Sequence, residues 1–275
     1  MNNLNNLETQ GFCVIKNFFE EHEIKLLQHD YNTTLVDSNK NYNISTPSKS
    51  AVSAIIPRLD YIIDQVKHTT DIVVDTYTNE ALYTDTSRID FDWHQDHESF
   101  YVLQQSYNYI NCYIPVIKPN KDSGGLSLVA MDYLKEHHPS FFGNIFNKGA
   151  QQLNKEHADV LRIYNAETND TYRYQFDIES AATSPELEQR DLLLIRGDVI
   201  HKTQDTNQQR VALSISYTDG NCLIDKNKLF NMSSKKKKEM IMNNKRRYEK
   251  IHNTFTSSGQ HLLSFGELMK RIVDN

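Results

Sequence analysis

The residues with the most chemical content are Trp93-His94-Gln95-Asp96. On an extended strand, residues i and i+2 project from one face, so His94 and Asp96 can offer an imidazole nitrogen and a carboxylate oxygen to the same ion. A third donor must come from elsewhere. His201, after the apolar run DLLLIRGDVI and before the turn-like QDTNQQ, falls at a strand end where it can supply one. Two histidines and one carboxylate on one face leave three open positions, an arrangement suited to non-haem Fe(II) and dioxygen chemistry. Arg210 lies nine residues beyond His201, across what reads as a short hairpin turn, and opens the strand RVALSISY. An antiparallel neighbour would return its guanidinium to the metal end, where the planar fork can hold a carboxylate through two parallel hydrogen bonds. HxD, a distant histidine and then an arginine is the set that a dioxygenase using 2-oxoglutarate needs.

Such residues must be held by a frame, and the composition can supply one. The 275 residues are 38% hydrophobic and 24% charged, as expected of a globular chain with a real core. Disorder, collagen and coiled coil are excluded. No apolar run approaches the length of a membrane span, and MNNLNNLETQ lacks the basic start and apolar stretch of a signal peptide, so a cytoplasmic protein is expected. Cys13, Cys112 and Cys222 are scattered, with no spacing for zinc or a redox disulfide.

GFCVIKNFF reads as a short strand, and EEHEIKLLQHDY as a helix burying Ile24, Leu27 and Tyr31 while His22, Glu23, Lys25 and Gln28 stay wet. A loop is expected over about residues 32 to 50. AVSAIIPRLDYIIDQVKH carries a wide apolar stripe from Ile55 to Val66, with Pro57 tolerable only near the helix start. Beyond residue 80 the texture turns to β: ALYTDTSRIDFDWHQD alternates, and YNYINCYIPVIK, GGLSLVAM, TYRYQFDI, DLLLIRGDVI and RVALSISYT are further strand-like runs. Helices feeding short strands without βα alternation point to an α+β protein on an antiparallel barrel or sandwich.

The motifs WHQDHESFY, NYINCYIPV with its SGGLSLVA turn, and GDVIHKT followed by RVALSISY resemble the phytanoyl-CoA dioxygenase-like branch of the Fe(II)/2-oxoglutarate oxygenases, which includes ectoine hydroxylases. The opening GFCVIKNFFEEHEIKLL is similar to that family's first strand and helix, so the resemblance runs from about residue 10 to 220. It implies a double-stranded β-helix (a jelly-roll or cupin-like barrel) with flanking N- and C-terminal helices. It makes His94, Asp96 and His201 the iron ligands and Arg210 the clamp for the distal carboxylate of 2-oxoglutarate. Thr203 matches a position that contacts the same cosubstrate, Asn111 is a candidate for a similar contact, and Phe100 falls where an aromatic borders the substrate pocket. The implied reaction uses O2 to hydroxylate a C–H bond of a small polar metabolite, releasing succinate and CO2. The retained Asp96 favours hydroxylation over halogenation and leaves desaturation or ring closure open. After SGGLSLVAMDYLKEHHP the chain lacks the PGSH of relatives, which leaves that loop and the substrate entrance open.

Other residues have plainer readings. His97 lines the pocket or supports a ligand, Arg88 and Asp92 touch a polar substrate or form a salt bridge, and the tyrosines of NYINCY and TYRYQF pack the sheet. Trp93 and Phe91 face the core. His137 and His138 are loop residues, since no carboxylate or cysteine stands at ligand spacing. The final stretch, residues 225–275, holds 12 Lys and Arg against 5 Asp and Glu in a chain of net charge −6. It reads as a basic helical extension beside a 1–224 oxygenase domain, and as a candidate homodimer contact. The overall charge argues against a nucleic-acid partner. The competing readings are an oxygenase that modifies nucleic acid or protein through this tail, and a silent barrel that binds a metal or a small acid.

Overall fold

The computed structural model describes residues 4–34, 42–45, 47–85, 92–96, 109–118, 120, 125–148, 152–164, 170–204, 210–227 and 245–274. In chain order its helices are α1 (Asn6–Thr9), α2 (Glu21–Thr34), α3 (Lys49–Thr69), α4 (Met131–His137), α5 (Pro139–Ile145), α6 (Lys245–Ser258) and α7 (Phe265–Asp274). The strands are β1 (Phe12–Ile15), β2 (Tyr42–Ser45), β3 (Thr76–Asp85), β4 (Tyr109–Ile117), β5 (Leu126–Val129), β6 (Gln152–His157), β7 (Val160–Tyr164), β8 (Thr171–Gln175), β9 (Ala182–Thr183), β10 (Leu192–Arg196), β11 (His201–Thr203), β12 (Arg210–Thr218), β13 (Leu223–Asp225) and β14 (Leu262–Ser264). A six-stranded antiparallel sheet runs β1-β10-β4-β12-β3-β2. A small sheet, β11-β5-β9, a meander, β6-β7-β8, and a ribbon, β13-β14, complete it. The protein is therefore a mixed α+β chain with antiparallel sheets, as expected.

The large sheet is buried on both faces, and strand parity sorts its side chains. Cys13, Ile15, Cys112, Ile114, Leu192, Leu194, Val211, Leu213 and Ile215 point to the core shared with α2 and α3. Phe12, Tyr113, Leu193, Ile195 and Ala212 point the other way, into a second core with Leu126 and Leu128 of the small sheet and with α4 and α5. Each fully buried aliphatic side chain contributes about 1.5–3 kcal/mol of transfer free energy. Even-numbered residues of β12, from Arg210 to Ser216, and odd-numbered residues of β4, from Tyr109 to Tyr113, thus share the face between the sheets.

The helices follow their stripes. Ser48 caps α3 by accepting the Ala51 N–H at 3.2 Å, and Ala51, Val52, Ile55, Leu59, Ile62, Ile63 and Val66 are buried along it. Pro57 corrects expectation: it lies at the ninth of the 21 helical residues. Its ring and the Ser53 carbonyl it leaves without a helical donor both belong to exposed residues, so water can serve that carbonyl. Ile24, Leu27 and Tyr31 of α2 are buried as predicted, but so is Glu23, whose carboxylate accepts the Glu20 N–H at 2.7 Å and the Arg58 Nε at 3.1 Å.

Other expectations need correction too. The loop expected over residues 32–50 contains the end of α2 and strand β2. DLLLIRGDVIH is not one strand: β10 stops at Arg196 and β11 begins at His201 in the other sheet. A Cβ on Gly197, at the turn between them, would stand 2.9 Å from the Tyr109 ring, so only glycine fits there. His137 ends α4 and His138 directly precedes α5, so the pair sits at helix ends.

Within the basic stretch, α6, β14 and α7 enclose a third core of Ile224, Tyr248, Ile251, Phe255, Leu263, Phe265 and Leu268. Residue 224, the expected boundary, lies inside β13, which pairs with β14. The expected caps Ser233 and Ser234 and the run Lys235–Lys238 lie outside the described residues. No helix among the described residues is long and apolar enough to cross a membrane.

Candidate metal centre

His94 and Asp96 do not sit on a named strand; one antiparallel bridge pins their segment to β11. The His94 N–H donates to the His201 carbonyl and the His201 N–H to the His94 carbonyl, both at 3.0 Å. This reciprocal pair sets two histidines 107 positions apart side by side, with ring centroids 4.4 Å apart. Trp93 anchors the segment from the core, its indole N–H donating to Glu179 Oε1 at 3.0 Å. Lys202, next to His201, grips the same carboxylate at 2.8 and 2.7 Å, its ammonium 5.0 Å from the centre of the Trp93 ring.

One donor atom from each of His94, Asp96 and His201 lies within 4.8 Å of the others, the one such cluster of three among the described residues. Each imidazole turns Nδ1 to a backbone carbonyl two residues earlier, His94 to Asp92 at 2.7 Å and His201 to Val199 at 3.0 Å. A carbonyl only accepts, so each Nδ1–H donates, and Nε2 is left as the ligand atom, the outer support that metal-binding histidines need. His201 Nε2 stands 3.6 Å from Asp96 Oδ1. The other Asp96 oxygen accepts from Asn111 Nδ2 at 3.3 Å, and Asn111 Oδ1 accepts the Ser214 hydroxyl at 2.6 Å. Asn111, expected to contact the cosubstrate, is thus turned toward the carboxylate of the triad. Imidazole nitrogens and a carboxylate suit a borderline divalent ion such as Fe(II), so the donor set fits the implied metal.

Arg210 is buried, and its Nη1 donates to the Gly125 carbonyl at 2.9 Å and to the Tyr113 hydroxyl at 3.4 Å. The expected hairpin geometry does not occur: β12 pairs with β3 and β4, whereas β11 pairs with β5. Arg210 reaches the site across the space between the sheets. On β4, Asn111 and Tyr113 are same-face neighbours, the first on Asp96 and the second on Arg210, so about 7 Å of strand separates the two ends of the site. Burial pushes the Tyr113 phenol above its ordinary value, against the opposing pull of the Arg210 charge, and the hydroxyl stays protonated at neutral pH. Tyr113 was read as sheet packing; its parity with Asn111 was the signal that could have placed it in the site.

Thr203 is buried on β11, two residues past His201 and on the same face. Arg88, Phe91, His97 and Phe100 lie outside the described residues. His137 and His138 stand apart: His137 stacks on Tyr133 and His138 lies against Phe176. Burial, reinforced by the charge of His137, lowers the His138 pKa.

No family model matches the sequence, and no curated protein matches it. Solved structures do resemble it. The non-heme alpha ketoglutarate dependent carbocyclase SnoK from nogalamycin biosynthesis is 11% identical, with TM-score 0.56 over 80% of this chain and 84% of that one. The epimerase SnoN, in complex with Fe3+, alpha ketoglutarate and nogalamycin RO, is 10% identical, with TM-score 0.55 over 80% and 84%. EctD from S. alaskensis, with 2-oxoglutarate and 5-hydroxyectoine, is 14% identical, with TM-score 0.54 over 81% and 77%. At such identities the likeness establishes a shared fold.

Proposed function

We propose that this chain is a non-haem Fe(II)/2-oxoglutarate-dependent dioxygenase on a double-stranded β-helix, hydroxylating a C–H bond of a small polar metabolite. One observation carries the reading: His94, Asp96 and His201 converge within 4.8 Å, at one end of a face whose other end holds the buried Arg210. A chance HxD would have no reason to meet a distant histidine there, nor to have both Nδ1 atoms engaged by carbonyls. SnoK, SnoN and EctD support it, because a protein named as an alpha ketoglutarate dependent carbocyclase, an epimerase in complex with Fe3+ and alpha ketoglutarate, and EctD with 2-oxoglutarate and 5-hydroxyectoine share this fold and the cosubstrate.

His94, Asp96 and His201 would hold iron, and Arg210 would bind the distal carboxylate of 2-oxoglutarate through charge-assisted hydrogen bonds. Tyr113 steadies that guanidinium, and Asn111 holds the second oxygen of Asp96, which favours one-oxygen ligation by this carboxylate. Thr203, between these ends on β11, can add a hydroxyl contact. Burial of Arg210 and His201 keeps water from competing for the cosubstrate. Iron and cosubstrate, if bound, would supply the dioxygen activation needed to oxidise a substrate C–H bond with release of succinate and CO2. The described residues 225–227 and 245–274 extend the same unit through the β13-β14 ribbon.

Anaerobic addition of Fe(II) and then 2-oxoglutarate to metal-free protein should give the weak visible charge-transfer band of the chelate, and His201→Ala should abolish it. A folded wild-type protein that gives no band refutes the oxygenase reading and favours a silent barrel.

A further inference from the structure

Gln95 separates two of the candidate ligands and has no part in the chemistry above. Its side chain is fully buried. Nε2 donates to the Ile145 carbonyl at the end of α5, at 3.0 Å, and to the Asp198 carbonyl in the turn before β11, at 2.6 Å. Among the described residues Oε1 has no hydrogen-bond partner. A residue needed only to fill this space would be apolar, because leucine or methionine would bury no stranded acceptor. The amide is therefore explained by what its N–H groups join. They tie the His94–Asp96 segment to the turn that delivers His201 and to the end of α5. In an extended segment Gln95 points opposite to His94 and Asp96, so holding its amide fixes the rotation of that segment about its own axis.

The anchoring points are themselves held. Asp198 receives two hydrogen bonds from Arg196, at 3.1 and 2.7 Å, and its carboxylate also accepts the Asn147 N–H at 2.9 Å, just past α5. We propose that Gln95 is a positioning residue of the metal centre: it sets the spacing between the two ligand-bearing segments and couples that spacing to the end of α5. The proposal rests on the metal-binding reading above, and Co(II), which is insensitive to air at this oxidation state, probes both separately.

Gln95→Met keeps length and volume while removing both donors. Gln28→Met is the matched control, since Gln28 Nε2 makes the same kind of bond, to the Val116 carbonyl at 2.9 Å, from α2. Co(II) affinity, the Co(II) absorption envelope and the metal-free thermal midpoint are measured for each. A purely structural role lowers both midpoints and leaves Co(II) alone. The proposal expects Gln95→Met to weaken Co(II) by about tenfold or more and to alter the envelope, with Gln28→Met within about twofold of wild type. Wild-type Co(II) binding by a folded Gln95→Met protein overturns the positioning role. A wild-type protein that binds no Co(II) overturns the metal centre itself, a different result. Should Gln95→Met fail to fold, hydrogen exchange on the wild type decides: Co(II) is expected to slow the Asn147 and Lys148 amides along with those of His94 and His201. Protection confined to the two histidines overturns the coupling.

Discussion

Replacing Asp198 by alanine would strand a guanidinium inside the protein. Asp198 is 0% exposed and Arg196 8% exposed, and two bonds of 3.1 and 2.7 Å join them. Burial pushes the Asp198 carboxyl above its usual range, with the attraction of Arg196 pulling it back. Desolvation therefore outweighs the pairing, and the ion pair as a whole adds little over an apolar pair of the same shape. Breaking it is another matter, since among the described residues the remaining charge keeps only the Asn147 Oδ1 at 3.3 Å and the Phe146 ring face at 5.1 Å. The expected loss is about 3–5 kcal/mol. At about 2–4 °C per kcal/mol for a chain near this size, the thermal midpoint should fall by about 6–20 °C. Urea denaturation at pH 7 measures the loss directly. The double variant Arg196→Met/Asp198→Ala should recover at least half of it, because no buried charge remains. A single-variant loss below about 1 kcal/mol, or a double variant no more stable than the single, refutes the reasoning. The pH dependence has a definite sign. With its folded pKa raised, Asp198 lends stability that is fully present below the ordinary carboxyl value of 3.8 and lost as pH rises through the folded value. Acidification from neutrality should thus add stability through Asp198, opposite in sign to the loss expected through a carboxylate whose folded pKa is lowered, such as Glu179.

Arg210→Met should weaken 2-oxoglutarate by about thirtyfold or more, the lower end of the 2–5 kcal/mol lost on truncating a buried charge pair, and should leave Fe(II) affinity within about threefold; a fluorescence titration showing unchanged 2-oxoglutarate binding would count against the clamp. Burial pushes the Cys13 thiol from 9.0 up to about 12, so the native protein should leave Cys13 unmodified by a disulfide reagent at pH 8. Between pH 9 and 12 the unfolded thiol ionises before the folded one, stability should decline by up to about 4 kcal/mol through this residue, and Cys13→Val should flatten the decline. Pro57→Ala should raise stability by about 1–3 kcal/mol, as the Ser53 carbonyl regains a helical donor; a lower urea midpoint would show that α3 depends on the proline.

Much of the frame was legible because it rests on local periodicity. LLLIR and RVALSISYT alternate between two apolar faces, and the α3 stripe recurs at helical spacing, so each announces its element whatever lies opposite. Strands without such contrast were missed. QLNKEH of β6 is mostly polar and forms only because VLRIY of β7 offers it an edge, and β2, β13 and β14 are too short for a pattern to stand out.

The candidate ligands were legible as residue types at i and i+2, with His201 expected at a strand end and Arg210 at a strand start. Their meeting was not. Whether His201 continued β10 or joined β5, and whether Arg210 lay beside it or across from it, is decided by which hydrogen-bonding edge each strand finds, and no local pattern encodes that choice. Tyr113 and Gln95 escaped for a related reason: a tyrosine in a strand and a glutamine between ligands look the same whether they pack or position, until the partner group, about a hundred residues away, is in place. Sequence alone determined which groups were present and which face of its own element each would take, because those follow from backbone geometry a few residues long. Tertiary structure alone decided which faces met, because closing a loop of a hundred residues costs little more than closing one of fifty, and separation along the chain therefore says almost nothing about contact.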